Sequence, residues 1–362
     1  RTSSFQFKGQ NLNIGEVAEQ LNVKHVLEGS VRKANTRVRI TAQLIEADTG
    51  YHLWSDTYDR ELTDIFGIQD EISAAIVMAL SETLGLVPEN APQTHAATNA
   101  DAYDAYLLGQ HLIKKRTRPD IEAALEHFEN AVELDPDYAP AQAFMGLAAY
   151  LLTSSGSTYG DFTLDESLSV AVPAVDRALE LDPELADAHA IKGLLLYTRH
   201  RNEEAVPYFE EALRLNPSLT DARNWYSSML SEMNRPAEAF EVIEAAYAID
   251  PLSVLTLNNY VNELMLRYQH AEMEPLLERF ESLDASRTAQ FRGFILNQQR
   301  KAADGAIAML RGADLDPGAL RQQATASFAV SRLGLRDEAI RIWPYPNAER
   351  IFVDFNEPEQ WL

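Results

Sequence analysis

The sequence predicts a mainly α chain, a solenoid of antiparallel helix pairs preceded by a small partial α/β domain with an antiparallel hairpin. Three observations lead there. An Asp-Pro or Asn-Pro pair closes a helical pattern at Pro136, Pro183, Pro217 and Pro251, with spacings of 47, 34 and 34 residues. Small and bulky residues recur at fixed distances before each proline. Residues 36–57, by contrast, alternate apolar and polar with the period of a strand.

At the front, a short helix is expected over Ile14–Leu21 and a strand over His25–Arg32. Val38, Ile40, Ala42 and Leu44 then share one face, while Arg37, Arg39, Thr41 and Gln43 share the other. A turn at Asp48, Thr49 and Gly50 leads into a second run, Tyr51–Tyr58, which completes a hairpin. Ile68, Ile72, Ile76, Leu80 and Leu84 at helical spacing predict one long amphipathic helix.

In the repeats, steps of 5, 8 and 12 residues back from each proline give Ala131, Phe128 and Ala124, then Ala178, Val175 and Ala171. The next two sets are Ala212, Phe209 and Ala205, and Ala246, Ile243 and Ala239. Two small residues flanking one bulky residue let antiparallel helices approach and lock. The first helix of each pair supplies the matching small residue, Gly109, Gly146, Gly193 or Ser227. This pattern resembles the tetratricopeptide repeat, a 34-residue helix-turn-helix unit, and the resemblance implies a right-handed solenoid. The first unit is longer by 3 residues, and the second carries an insertion at Thr153–Leu164, rich in Ser, Gly and Thr, expected as a loop. After Pro251 the register weakens. Helix pairs still read as 253–268 with 270–283, 286–299 with 302–313, and 319–333 with 336–343, and Asp316 with Pro317 repeats the closing pair. The apolar tail from Pro344 to Leu362 is expected to cap the open end.

The runs Val26–Arg32, Val38–Leu44, His52–Ser55, Tyr58–Arg60 and Asp64–Ile72 resemble the TolB-like amino-terminal domain. That domain accompanies tetratricopeptide repeats in bacterial signalling proteins, behind a CadC-type winged helix, a class III adenylate cyclase or a kinase. The domain plan is therefore 1–88 partial TolB-like, 89–100 linker, 101–251 four repeats, 252–343 degenerate repeats and 344–362 capping tail. The family's opening strand and helix are absent before Arg1, so the sequence reads as part of something longer. An incomplete sheet is expected, its edge open to strand pairing with another chain.

Composition narrows the function. A formal charge of −24 argues against gripping a phosphate backbone, and no direct nucleic-acid partner is expected. The densest basic patch, Lys114, Lys115, Arg116 and Arg118, falls between two predicted helices and reads as a turn. The apolar run Ala141–Leu152 is too short to span a bilayer, so no membrane insertion is expected within these residues. There is no cysteine, which removes disulfides, thiolate metal sites and cysteine nucleophiles, yet suits cytosol and periplasm equally. The compartment stays open: periplasmic behind a membrane-anchored winged helix, cytoplasmic otherwise. No zinc, phosphate-loop, nucleophile-elbow or calcium motif is present, and no cofactor, metal or catalytic residue is expected. His189 reads as structural. The acidic pairs Asp120/Glu122, Glu203/Glu204 and Glu210/Glu211 read as solvated surface.

What remains is binding, and stacked repeats bind through a concave groove lined by the first helix of each pair. The register puts Asn224 and Asn258 at equivalent places, with Asn262 one turn beyond Asn258. Aligned amides can hold an extended peptide backbone, the role asparagine takes in peptide-binding repeats that this chain resembles. Tyr150, Asp187 and Tyr197 fall on the same face. The groove lacks the Lys and Arg set that clamps a peptide carboxylate. The expected function is a protein- or peptide-binding sensory segment of a bacterial signalling protein. An assembly scaffold and the regulatory half of a cyclase or kinase are the alternatives.

Overall fold

Asn13 begins the first described helix because its side chain accepts from the Glu16 backbone while Glu16 reaches back, a capping box that starts α1 (Ile14–Leu21). Three strands follow, β1 (His25–Ala34), β2 (Arg37–Glu46) and β3 (His52–Glu61), in the order β1-β2-β3 and antiparallel throughout. This computed structural model describes residues 12–34, 37–61, 99–154, 159–316 and 320–342, together with isolated positions before 12 and between 72 and 81. The long helix expected over 68–84, most of the linker and the tail after 343 lie outside the described residues.

The sheet has one wet and one apolar face. Val38, Ala42, Leu44 and Tyr58 are buried on one side. On the other, Arg39 makes a bidentate pair with Asp59, Gln43 donates to Glu28, and Thr41 and Thr57 are in hydroxyl contact. Gly50, at φ 69°, makes the turn into β3. A register shift at Leu44/Ile45 also buries Ile45. Among the described residues no fourth strand joins the sheet, and β1 and β3 are its edges.

The described chain divides into two compact units. The first contains the sheet and the helix pairs α2 (Ala100–Ile113) with α3 (Arg118–Leu134), α4 (Ala139–Leu151) with α5 (Leu164–Leu181), and α6 (Ala186–Thr198) with α7 (Asn202–Leu215), followed by α8 (Thr220–Glu232). The second contains most of α9 (Pro236–Ile249), then α10 (Val254–Leu266) with α11 (His270–Glu281), α12 (Ala285–Gln298) with α13 (Ala302–Leu315), and α14 (Leu320–Ser331) with α15 (Arg336–Ile342).

The expected locking residues do lock. Ala124, Phe128, Ala131, Ala171, Val175, Ala178, Ala205, Phe209 and Ala212 are all fully buried. Opposite them, a methyl group on Gly109 would sit 2.6 Å from the Phe128 ring, and one on Gly146 would sit 2.7 Å from Val175 and 3.0 Å from the Ala171 carbonyl. The α4 backbone thus lies against that of α5, and the α2 backbone lies against the Phe128 ring.

After Pro251 the structure corrects the sequence reading in one respect. Among the described residues the register fails in α10 and α11, where Val261, Met273, Leu277 and Phe280 fill the corresponding places with large side chains, all buried in one cluster. It returns in α12 and α13. Counted back from Pro317 by the same three steps, Gly312, Met309 and Gly305 appear, and Gly293 faces Met309 with a methyl-equivalent distance of 2.5 Å. Glycine standing for alanine, and methionine for an aromatic, hid this repeat.

Two further features recur without having been foreseen. The turn from first to second helix places a non-glycine residue in the left-handed region at Arg116, His200, Asn234, Tyr268 and Arg300, with φ between 55° and 63°. In the last four, the next N–H reaches a carbonyl five residues back: Arg201 to Leu196, Arg235 to Leu230, Gln269 to Leu264 and Lys301 to Leu296. The closing prolines also have a common partner. Gln142 Nε2 donates to the Pro136 carbonyl at 3.2 Å, His189 Nε2 bonds Pro183 at 2.8 Å, and Arg223 Nη2 donates to Pro217 at 2.9 Å. Three chemically different residues at one register position therefore tie down the entry to α4, α6 and α8, whose N-termini have no side-chain cap.

The insertion is a loop pinned by a bridge between Thr153 and Phe162, and Thr163 with Glu166 forms the capping box that restarts the helix. The basic patch is a turn: Lys115 pairs with Asp120, and Arg118 with Glu122 and Asp161.

Candidate ligand-binding face of the first helices

Packing buries most of each first helix and leaves a half-buried strip along α4, α6 and α8. On α6 and α8 this strip begins with Asp187 and Asp221, both half-buried and one repeat apart. Both face a small cleft walled by Phe144 and Leu147 from α4, Ile191 from α6 and Trp225 from α8. Asp187 is half-buried there. Burial first, and the Asp221 charge second, push its carboxyl up to about 6, with its own backbone N–H and, more weakly, Lys114 opposing. Among the described residues neither carboxylate forms an ion pair.

Further along the same helices lies a row of phenols. Tyr150, at the end of α4, is hydrogen-bonded to Thr198, and burial raises its pKa. The Tyr197 hydroxyl donates to the Glu232 carboxylate at the end of α8. Burial and that carboxylate together hold the Tyr197 proton tightly. Nearer α2, Gln110 donates to the Tyr106 hydroxyl at 3.0 Å, and burial followed by the Asp187 charge raises Tyr106 well above a free phenol.

The asparagines behave differently from the expected ladder. Asn224 is 1% exposed and donates to the Thr220 carbonyl one turn back, so its amide serves its own helix. Asn258 and Asn262, both half-buried, belong to the second compact unit. Asn258 donates to Asn259 at 3.1 Å, while its Oδ1 is buried with no hydrogen-bond partner among the described residues. The structure thus brings Tyr150, Asp187 and Tyr197 onto neighbouring helices of one unit. Sequence reasoning missed Asp221, Trp225, Phe144 and Glu232, although the 34-residue step from Asp187 already marks Asp221.

His189 holds its Nε2 on the Pro183 carbonyl and its ring beside Tyr208, while its Nδ1 is buried without a hydrogen-bond partner among the described residues. Among the described residues no group of three or more His, Asp or Glu is placed to hold a metal, and no helix is long and apolar enough to cross a membrane.

Residues 166–220 and 192–254 match the tetratricopeptide repeat family. The chain is also similar to the protein named "Putative adenylate cyclase 3" of Rhizobium meliloti (strain 1021), 36% identical over 179 residues, which are 49% of this chain. The match spans 30% of that relative's length. Among solved structures, the chain is similar to PilF of Pseudomonas aeruginosa (19% identity, TM-score 0.45, covering 62% of this chain and 95% of that one). It is also similar to the type IV pilus biogenesis factor PilW (15%, 0.47, 61% and 96%). A third is YrrB, a repeat protein described as having an unusual peptide-binding site (19%, 0.39, 57% and 99%). The consecutive helix pairs are typical of a tetratricopeptide-repeat solenoid, and residues 166–254 match that repeat directly.

Proposed function

We propose that this chain is the non-catalytic binding segment of a bacterial signalling protein, holding a protein or peptide against the half-buried strip of its first helices. The observation that carries this reading is the cleft between α4, α6 and α8, where Asp187 keeps a carboxylate without a counter-ion against apolar walls. Such an arrangement works against folding, as groups placed for binding commonly do. Tyr150 and Tyr197 extend the face with phenols that can bond a peptide backbone.

The relative named as an adenylate cyclase supports attachment to a signalling output, and the TolB-like wording of residues 26–72 supports the same setting. Regulation of a cyclase is therefore the favoured form of the output. Strand pairing at the edge of the three-stranded sheet is a second contact of the same protein.

The test couples binding to output. Peptides selected by display against this chain should lose affinity for a Tyr150→Ala/Tyr197→Ala variant. The full-length gene product carrying those changes should then show altered cyclic-nucleotide formation. Lost binding with unchanged output would make the chain an assembly scaffold instead. Peptide binding indifferent to both substitutions would contradict the proposed face.

A further inference from the structure

A cleft of about 250 Å³ opens within the second compact unit, lined by the end of α11, one side of α12 and one side of α13. The small side chains of Ala285, Ala289 and Ala308 leave it open, and Ile307 and Leu315 line it while 65% and 51% exposed. Ten residues before their closing prolines, the other units carry Glu126, Pro173, Pro207 and Glu241, so an isoleucine at 307 departs from a polar or proline pattern. Two large apolar side chains left open beside a cleft mark an interaction surface. The charges here divide in two. Arg292 is held by Glu274 and Glu281. Asp304 and Arg311, both exposed and seven residues apart on α13, form no ion pair among the described residues.

The chain itself carries a segment of matching pattern. In the tail, Arg350, Phe352 and Asp354 alternate with Ile351 and Val353, and alternate residues of an extended segment share one side. Such a segment sets Arg350 and Asp354 about 13 Å apart, while Asp304 and Arg311 are about 10 Å apart along their helix. Each charge can therefore meet its opposite with Phe352 between them, beside Ile307 and Ala308. The tail also reaches. Ile342 packs on the cluster that joins α13 to α14 and α15 through Ala306, Met309 and Ala313, and by helical spacing Asp304, Ala308 and Arg311 lie on the opposite side of α13. Half the girth of a helix is roughly 20 Å, whereas the eight residues from Ile342 to Arg350 span about 26 Å when extended. Pro344 and Pro346 favour that extended course over a continued helix.

We propose that the cleft on α12 and α13 is the docking site of the chain's own tail, with Phe352 in the cleft, Asp354 on Arg311 and Arg350 on Asp304. The tether holds the segment at an effective concentration on the order of millimolar, so a contact of modest strength suffices. The site is separate from the strip on α4, α6 and α8, and either can fail without the other.

The chain has no cysteine, so pairs of introduced cysteines report proximity. In the full chain, Ser282→Cys, exposed and next to Glu281 of the cleft, is combined with Val353→Cys. The control combines Leu333→Cys, exposed just after α14, with the same tail position. Both are treated with a short bis-maleimide at low protein concentration. Random collision favours the control, whose loop is shorter. Docking should reverse that order and cross-link the Ser282 pair several-fold faster, at a rate independent of protein concentration. Arg311→Glu should slow it about fivefold, the effect of an exposed ion pair turned repulsive, and adding Asp354→Arg should restore it. A faster Leu333 pair would place the tail on the open end, and a concentration-dependent link would place it on a second copy. Arg311→Glu without effect, or a loss that Asp354→Arg does not repair, would remove the charge pairing. Each of these results overturns the proposal.

Discussion

At the scale of single residues, Asp187 links function and stability in opposite directions. Its folded pKa of about 6 lies above the ordinary aspartate value, so the folded protein binds this proton more tightly than the unfolded chain does. Asp187 therefore weakens folding progressively as pH rises from near 4 through 6. Asp187→Asn should raise stability by roughly 1–3 kcal/mol above pH 6 and by nearly nothing below pH 4, read as urea midpoints across that range. A variant equally affected at both ends would place the acid in open solvent. Arg223 acts the other way, since it ties the Pro217 carbonyl to the start of α8. Arg223→Met should cost about 1 kcal/mol in the same titration, the worth of a hydrogen bond to an exposed carbonyl. The sequence showed Asp187 and Tyr197 on the right helices because the repeat register assigns faces. It could not show that Asn224 turns inward, since an asparagine's choice between ligand and own backbone depends on the packing around it.

Whole elements were the most legible level. The front helix and strands, the helix pairs and the insertion loop follow from periodicity, because burying one face of a helix or strand imposes its spacing on the sequence. Where side chains substitute for one another in volume, legibility failed, as in α12 and α13 with Gly305, Met309 and Gly312. Close approach makes a quantitative prediction. Gly146→Ala gains helix propensity worth about 1 kcal/mol, but its methyl meets the Ala171 backbone carbonyl at 3.0 Å and Val175 at 2.7 Å. The net effect should be a loss of about 1–2 kcal/mol, checked by chemical denaturation, whereas a neutral result would mean that α4 and α5 can part freely. The left-handed turn residues predict the reverse. Arg300, exposed at φ 63°, should gain about 0.5–1 kcal/mol on replacement by glycine. Asn234→Gly should gain less, because asparagine tolerates that conformation better.

At the scale of the whole molecule, two compact units share the repeat pattern unequally. The first carries small residues at its helix contacts and the acidic, aromatic cleft. The second includes α10 and α11, where bulky side chains take the place of small ones. Repeat arrays owe their stability to contacts between neighbours, so function assigned to α4, α6 and α8 should be separable from changes in the second unit. The measurement that addresses the central claim most directly is amide hydrogen exchange on the full chain, with and without a peptide selected by display. The account predicts new protection concentrated in α4, α6 and α8, absent in the Tyr150→Ala/Tyr197→Ala variant. Protection confined to the front sheet or to α10–α15, with these three helices unchanged, would contradict it.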